Sequence, residues 1–312
     1  MSKRFLVVLD RETARAPTGL TAWNAELSHR AHSPDEDAKV DASCRHHLER
    51  AYSASRPNTR KLELLGHGNG FAFEASPFCS YASDECGVHI LFAGEVGAWP
   101  GVNAVEAAHD AFMRGAPPPE ANDAAWLLDF YRSFFTAPGA VEDDADQRAL
   151  ESLAQVEGTF AFVIWDAVHH RVFAARDAAG AQPLYWGATA EGQLLLGSHL
   201  DDLEECDPTA TLFPAGTMFA SERHIVAFSP GDRGWVLSDD DYPGRLFSFI
   251  HEPDGRRWRG VKAIPRLTPQ GLLCGAVYRV ASAQQLPAAA DPAAEKEDGR
   301  PQRLDAANVH VL

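Results

Sequence analysis

Between Val156 and Gly197 the chain repeats one device: a short apolar run, a few turn-forming residues, and another short apolar run. The runs are Thr159 to Asp166, Arg171 to Arg176, Leu184 to Gly187 and Leu194 to Leu196, with Ala167-Val168-His169-His170 as the first turn. Each is strand-sized and too short for a typical helix, so the region predicts strands in a meander. Side chains alternate along a strand, so Phe160, Phe162 and Ile164 should share one face and Ala161, Val163 and Trp165 the other. All six are apolar, so both faces should be buried between layers. Upstream, Gly115-Ala-Pro-Pro-Pro119 breaks the chain before Asp123 to Phe135, where Trp126, Leu127, Phe130 and Phe134 recur at helical spacing, and Asp146 to Val156 reads as a second helix. Helices followed by a meander, without regular strand–helix alternation, give an α+β fold on an antiparallel sheet.

Phe5 to Leu9 is a continuous apolar run ended by Asp10 and reads as a strand buried on both faces. From Arg11 to Arg60 the chain is polar and interrupted by Pro17, Pro34 and Pro57, with one helix expected over Ala42 to Tyr52. Leu62 to Leu65 and Phe71 to Phe73 flank Gly66-His-Gly-Asn-Gly70, a hairpin pattern, and Val88 to Glu95 adds a strand. After Val280 large apolar residues nearly vanish, so residues 1–280 read as one domain and 281–312 as a disordered tail.

With 45% hydrophobic residues the chain can bury a core. Its 28 basic against 44 acidic residues give a formal net charge of -16, which repels phosphate backbones and anionic membranes. Nucleic acid and membrane insertion are therefore excluded as expectations. The five cysteines are odd in number and widely spaced, as reduced thiols are, and no apolar stretch of signal-peptide length follows Lys3 and Arg4. A cytoplasmic setting, with the nucleus also open, fits these features.

A longer-range similarity runs through the same residues. The series Val156-Glu-Gly-Thr-Phe-Ala-Phe-Val-Ile-Trp-Asp166, Phe173-Ala-Ala-Arg-Asp-Ala-Ala-Gly180, Pro183-Leu-Tyr-Trp-Gly187, Gly197-Ser-His-Leu-Asp-Asp-Leu203 and Phe213-Pro-Ala-Gly216 resembles, in order and spacing, the second half of class II glutamine amidotransferase domains. Leu6-Val-Val-Leu-Asp10, Pro17-Thr-Gly-Leu20, Lys262-Ala-Ile-Pro-Arg266 and Leu273-Cys-Gly-Ala-Val277 extend the resemblance to the plant aluminium-induced or stem-specific proteins, which carry such a domain alone. The resemblance implies a four-layer αββα sandwich of two mainly antiparallel sheets, the N-terminal nucleophile hydrolase arrangement.

In working members an N-terminal cysteine attacks the glutamine amide while its own α-amine acts as base. The resemblance places Leu6 in that slot. The oxyanion is normally held by an Asn and a Gly in Phe-Asn-Gly-Glu; here the residues are Phe92-Ala-Gly-Glu95, so Gly94 retains a backbone N–H while Ala93 offers no side-chain donor. Losing one such donor costs about 10²- to 10³-fold in rate. Asp123 aligns with the acid that grips the substrate α-amine, although an acid at a helix N-terminus is also favoured by the helix dipole alone. The carboxylate-binding Arg corresponds to Arg56, or to Arg30 within Leu27-Ser-His-Arg30. Arg56, Gly94, Glu95 and Asp123 thus make a candidate ligand set.

The resemblance implies a catalytically inactive amidotransferase-like protein with a binding, regulatory or stress-response role, for an unknown protein or small-molecule ligand; a homo-oligomer stays open. One alternative is an active amide hydrolase that uses Ser2 after Met1 removal, although Lys3 and Arg4 separate it from the strand. Another is a zinc module through His29, His32, Cys44, His46 and His47, whose Cys-x-His-His spacing matches no common zinc site. Cys79 and Cys86, flanking a loop before Val88, read as structural, and His169 and His170 as turn residues. No room follows Val280 for an ammonia-accepting domain, and no nucleotide-binding loop is present, so no cofactor is expected.

Overall fold

The computed structural model describes residues 4–17, 20, 34–54, 59–99, 122–135, 145–168, 171–206, 208–221, 244–255, 257–267, 269–271 and 273–282. Its strands are β1 (Phe5–Leu9), β2 (Arg60–Gly66), β3 (Asn69–Glu74), β4 (Cys79–Ser83), β5 (Val88–Ala98), β6 (Glu157–Asp166), β7 (Arg171–Arg176), β8 (Tyr185–Ala188), β9 (Leu194–Gly197), β10 (Thr211–Leu212), β11 (Thr217–Ala220), β12 (Arg245–Ser248), β13 (Gly260–Leu267) and β14 (Leu273–Ala281). The helices are α1 (Pro34–Ala54), α2 (Asp123–Phe135) and α3 (Ala145–Leu153), with a 3-10 helix over Leu200–Cys206.

Two antiparallel six-stranded sheets carry the fold, in the orders β10-β8-β9-β1-β3-β2 and β12-β11-β7-β6-β5-β4. Three apolar layers hold them together. Phe5, Val7 and Leu9 from the first sheet meet Leu91, Ala93 and Val163 from the second. The outer face of the first sheet packs Leu6, Val8 and Leu195 on Cys44 and Leu48 of α1 and Leu203 of the 3-10 helix. The outer face of the second packs Phe92, Phe160 and Phe162 on Leu127 and Tyr131 of α2 and Leu150 of α3. The order helix, sheet, sheet, helix is the αββα sandwich that the resemblance implies.

The continuous apolar run of β1 follows from this layering. Alternate side chains enter different cores, so no position of the strand meets water. The same holds for β6: Ala161, Val163 and Trp165 face the other sheet while Phe160, Phe162 and Ile164 face the helices, as the sequence predicts. The hairpin of β2 and β3 and the helix at Asp123–Phe135 also lie where expected.

Four expectations need correction. The run from Thr159 to Leu196 is not one meander: β6 and β7 belong to one sheet, whereas β8 and β9 join the other by pairing with β1. The expected helix at Ala42 starts earlier, at Pro34, because Pro suits the first turn and Asp35, Glu36 and Asp37 favour the positive end of the helix dipole. Cys79 opens strand β4 rather than flanking a loop, and is buried, whereas Cys86 is exposed in the turn to β5. Ala281 is the last residue of β14 and is buried; the rest of the expected tail, like His169 and His170, lies outside the described residues. All five cysteines are free thiols.

Candidate functional site

Position 6 is the place to begin, since the resemblance puts the nucleophile there. Leu6 sits in the chain's first strand, paired in register with Ala72 and Gly197, and its side chain is fully buried against α1 in the outer layer of its sheet. Ala93 is fully buried as well, but in the layer between the two sheets. The fold therefore keeps Leu6 and Ala93 in different cores. Ser2, Arg30 and Arg56 lie outside the described residues.

The backbone N–H of Gly94 is also committed. It donates to the carbonyl of Phe78 at 3.0 Å, closing the turn that enters β4. A packing reason accounts for glycine here: its φ is +128°, and a Cβ would lie 2.0 Å from the Thr159 carbonyl oxygen of the neighbouring strand. Close strand approach explains the glycine without a donor role.

Asp123 has more than the helix dipole around it, because it is half-buried at the start of α2. Its carboxylate accepts the Trp99 indole N–H at 3.1 Å, tying the end of β5 to the helix. Burial raises its pKa, the hydrogen bonds from Trp99 and the Val96 backbone oppose this, and nearby Glu95 adds to the rise. Asp123 and Glu95 are thus electrostatic neighbours, and Asp123 has protein partners in place of a ligand's amine.

Beside these residues the open edges of the two sheets leave a cleft of about 340 Å³. Its walls include Phe73 of β3 and Tyr81 of β4, whose rings stack at 5.6 Å. Tyr81 continues the stack through His89, bonded to its hydroxyl at 2.8 Å, to Trp165. Lys61 and Glu63, two apart on β2, also line it, as do Ser80 and Asn122. Asn122 caps α2 by accepting the Ala124 N–H at 2.9 Å, and the Ser80 hydroxyl accepts from the same N–H at 3.2 Å. Cys79, which pairs with Ala93, completes the link to the expected site. Sequence reasoning missed this cleft; the available signals were the Lys-x-Glu alternation on a strand and the Asn preceding a helix.

The cysteine and histidine cluster does not converge. Cys44, His46 and His47 lie on α1, and among the described residues no group of three or more His, Cys, Asp or Glu has a geometry that could hold a metal ion. His29 and His32 lie outside the described residues. Burial, chiefly, pushes the Cys44 thiol up to about 12, which keeps it protonated. His46 is exposed, 3.5 Å from one Glu205 oxygen, while His47 is only 2% exposed, 3.7 Å from the other.

Burial lowers the pKa of His47, with Glu205 acting in the opposite direction. Unfolded, the same histidine titrates at about 6.5. Just below that value the unfolded chain binds more protons than the folded one, so stability present above pH 6.5 is lost as pH falls toward the folded pKa. His47→Gln should remove part of that loss. Melting temperatures of both proteins at pH 7.5 and 5.5 test this, and equal acid-induced drops would speak against it.

Residues 120–233 match the model of a family described as aluminium induced protein, so over that segment the resemblance read from the sequence is borne out. Among solved structures, a glutamine phosphoribosylpyrophosphate amidotransferase from B. subtilis, complexed with ADP and GMP, is similar at 10% identity over 82% of this chain and 50% of its own, with a TM-score of 0.39. A structure described as the allosteric regulatory enzyme of purine biosynthesis is similar at 12% identity over 80% and 49%, with a TM-score of 0.40. A glutamine aminotransferase class-II domain protein from Silicibacter pomeroyi is similar at 15% identity over 70% and 93%, with a TM-score of 0.35. The chain spans about half the length of the first two. Among the described residues no helix is long and apolar enough to cross a membrane.

Proposed function

We propose that this protein uses an amidotransferase-like scaffold for binding and not for amide hydrolysis, in a regulatory or stress-response role in the cytoplasm. The observation that carries the reading is the fate of position 6, a leucine closed into the core beneath α1, one layer away from Ala93. Hydrolysis by this scaffold needs an attacking group and an oxyanion hole acting together. Leucine supplies no nucleophile, Ala93 no donor, and the Gly94 N–H is held by Phe78. The neighbouring cleft, with aromatic walls and a polar end at Asn122, is the place for a small ligand.

The pure protein, incubated with glutamine and a panel of other amides, should release no ammonia, while a subset of the panel should raise its melting temperature. Ala93→Asn alone should leave ammonia release at background, because restoring a donor without an attacking group gives almost nothing. Ammonia release by the unmodified protein, abolished by Ser2→Ala, would overturn the proposal and make Ser2 the nucleophile.

A further inference from the structure

Charge is distributed very unevenly along this acidic chain. From residue 255 to 290 there is no Asp or Glu, while Arg256, Arg257, Arg259, Lys262, Arg266 and Arg279 all fall there. The rest of the chain sets its remaining 22 basic residues, 28 less these six, against all 44 acidic ones. Most of this basic stretch is the hairpin of β13 and β14, a two-stranded sheet separate from the two large ones.

One face of the hairpin is accounted for. Ala276 and Tyr278, with Val261, pack on the core between the large sheets, and the Tyr278 hydroxyl donates to the Pro17 carbonyl at 3.4 Å. The opposite face carries Lys262 directly across from Arg279, and Ile264 across from Val277. Lys262 and Arg279 are exposed, and among the described residues neither forms an ion pair. Like charges directly opposite on a sheet destabilise it unless something neutralises them. Ile264 and Leu267 of the same strand remain 38% and 59% exposed.

The outer edge of β13 is poorly suited to adding another strand, because Pro265 and the register shift between Pro265 and Leu267 blunt it. An occupant would therefore lie across the face. We propose that this face docks an extended acidic segment of a partner protein, its carboxylates on Lys262 and Arg279 and an apolar side chain on Ile264. Charge complementarity selects this occupant over a long polyanion or an anionic bilayer. Those extend well past the hairpin and meet the acidic remainder of the molecule, whereas a short segment keeps its charge within a Debye length of the two cations, about 8 Å.

The test uses the full chain and a fluorescein-labelled peptide of about five residues, short enough to keep its charge near the two cations, that alternates Glu or Asp with Leu or Val, followed by anisotropy at low and physiological salt. Saturable binding that weakens with salt is expected, and Lys262→Glu should weaken it by about tenfold, the scale of a close charge contact. That substitution also sets a carboxylate opposite Arg279, so the melting temperature should hold or rise while affinity falls, and loss of binding cannot then be loss of fold. Ile264→Ser should weaken binding without changing its salt dependence. No saturable binding, binding indifferent to Lys262→Glu, or equally tight Lys262-dependent binding to phosphatidylserine vesicles or a DNA oligonucleotide would each overturn the proposal.

Discussion

Phe162→Ala is expected to destabilise the protein by about 3 to 5 kcal/mol, the range for removing a buried Phe side chain. Phe162 is 2% exposed, stacks on Phe160 at 5.8 Å, and faces α2 and α3 across the outer layer of the second sheet. The upper part of the range is favoured by what surrounds it. A small apolar void of about 20 Å³ already lies between Phe162, Ile164, Phe173, Leu127 and Tyr131, and truncation would merge with it instead of being filled. Helices can slide inward to close such a space, but Tyr131 is held by a 2.6 Å hydrogen bond from its hydroxyl to Asp166, which resists that movement. Urea denaturation of the variant checks the value, with Phe78→Ala, at a 51% exposed position, as a near-neutral control. A cost under about 1 kcal/mol for Phe162→Ala would mean that the helices do not seal this face.

The same strand shows what a sequence can and cannot disclose. The alternation of Phe160, Phe162 and Ile164 with Ala161, Val163 and Trp165 is local information, and both faces were legible because both are apolar. Sheet membership is not local. Leu194 to Leu196 looks like the next strand of a meander, yet β9 pairs with β1, nearly two hundred residues earlier in the chain. The site was legible only as a set of missing groups. Alanine at position 93 and leucine at position 6 could be read directly, but their separation into two cores depends on which way each strand faces. Gly94 is ambiguous in sequence, because a glycine forced by close strands and a glycine kept as a hydrogen-bond donor look the same there. Lys61 and Glu63 carried only a weak signal, since a charge on an edge strand is normally just solvated. Arg279 opposite Lys262 was invisible until the register of the hairpin was known.

Arg176→Met should cost about as much as the loss of Phe162, for an opposite reason: it removes a polar group whose partners then stay buried and unsatisfied. Arg176 ends β7 and is 6% exposed. Its guanidinium donates to the carbonyls of Gln182 at 2.6 Å, Phe213 at 2.9 Å and Gly180. Gly180 and Gln182 lie on the crossing from the second sheet to the first, and Phe213 on the crossing back, so one side chain fastens both passages between the sheets. Asp177, 1% exposed, completes the arrangement by accepting the Ala181 and Gln182 N–H groups at 3.0 and 2.9 Å. Each carbonyl left without a donor costs about 1 to 3 kcal/mol, and since two of these bonds are only partly buried, about 3 to 5 kcal/mol in total is expected. Loss of the neighbouring positive charge beside the buried Asp177 carboxylate adds to the penalty. Arg176→Lys should recover little, because an ammonium cannot reproduce the planar fork that reaches three diverging oxygens. Denaturation curves of both variants, with hydrogen exchange followed at residues 178–184 and 213–216, test this. Loss of protection confined to those two crossings is the expected signature, and a lysine variant as stable as the unmodified protein would show that a single positive charge, and not the three-way geometry, holds the sheets together.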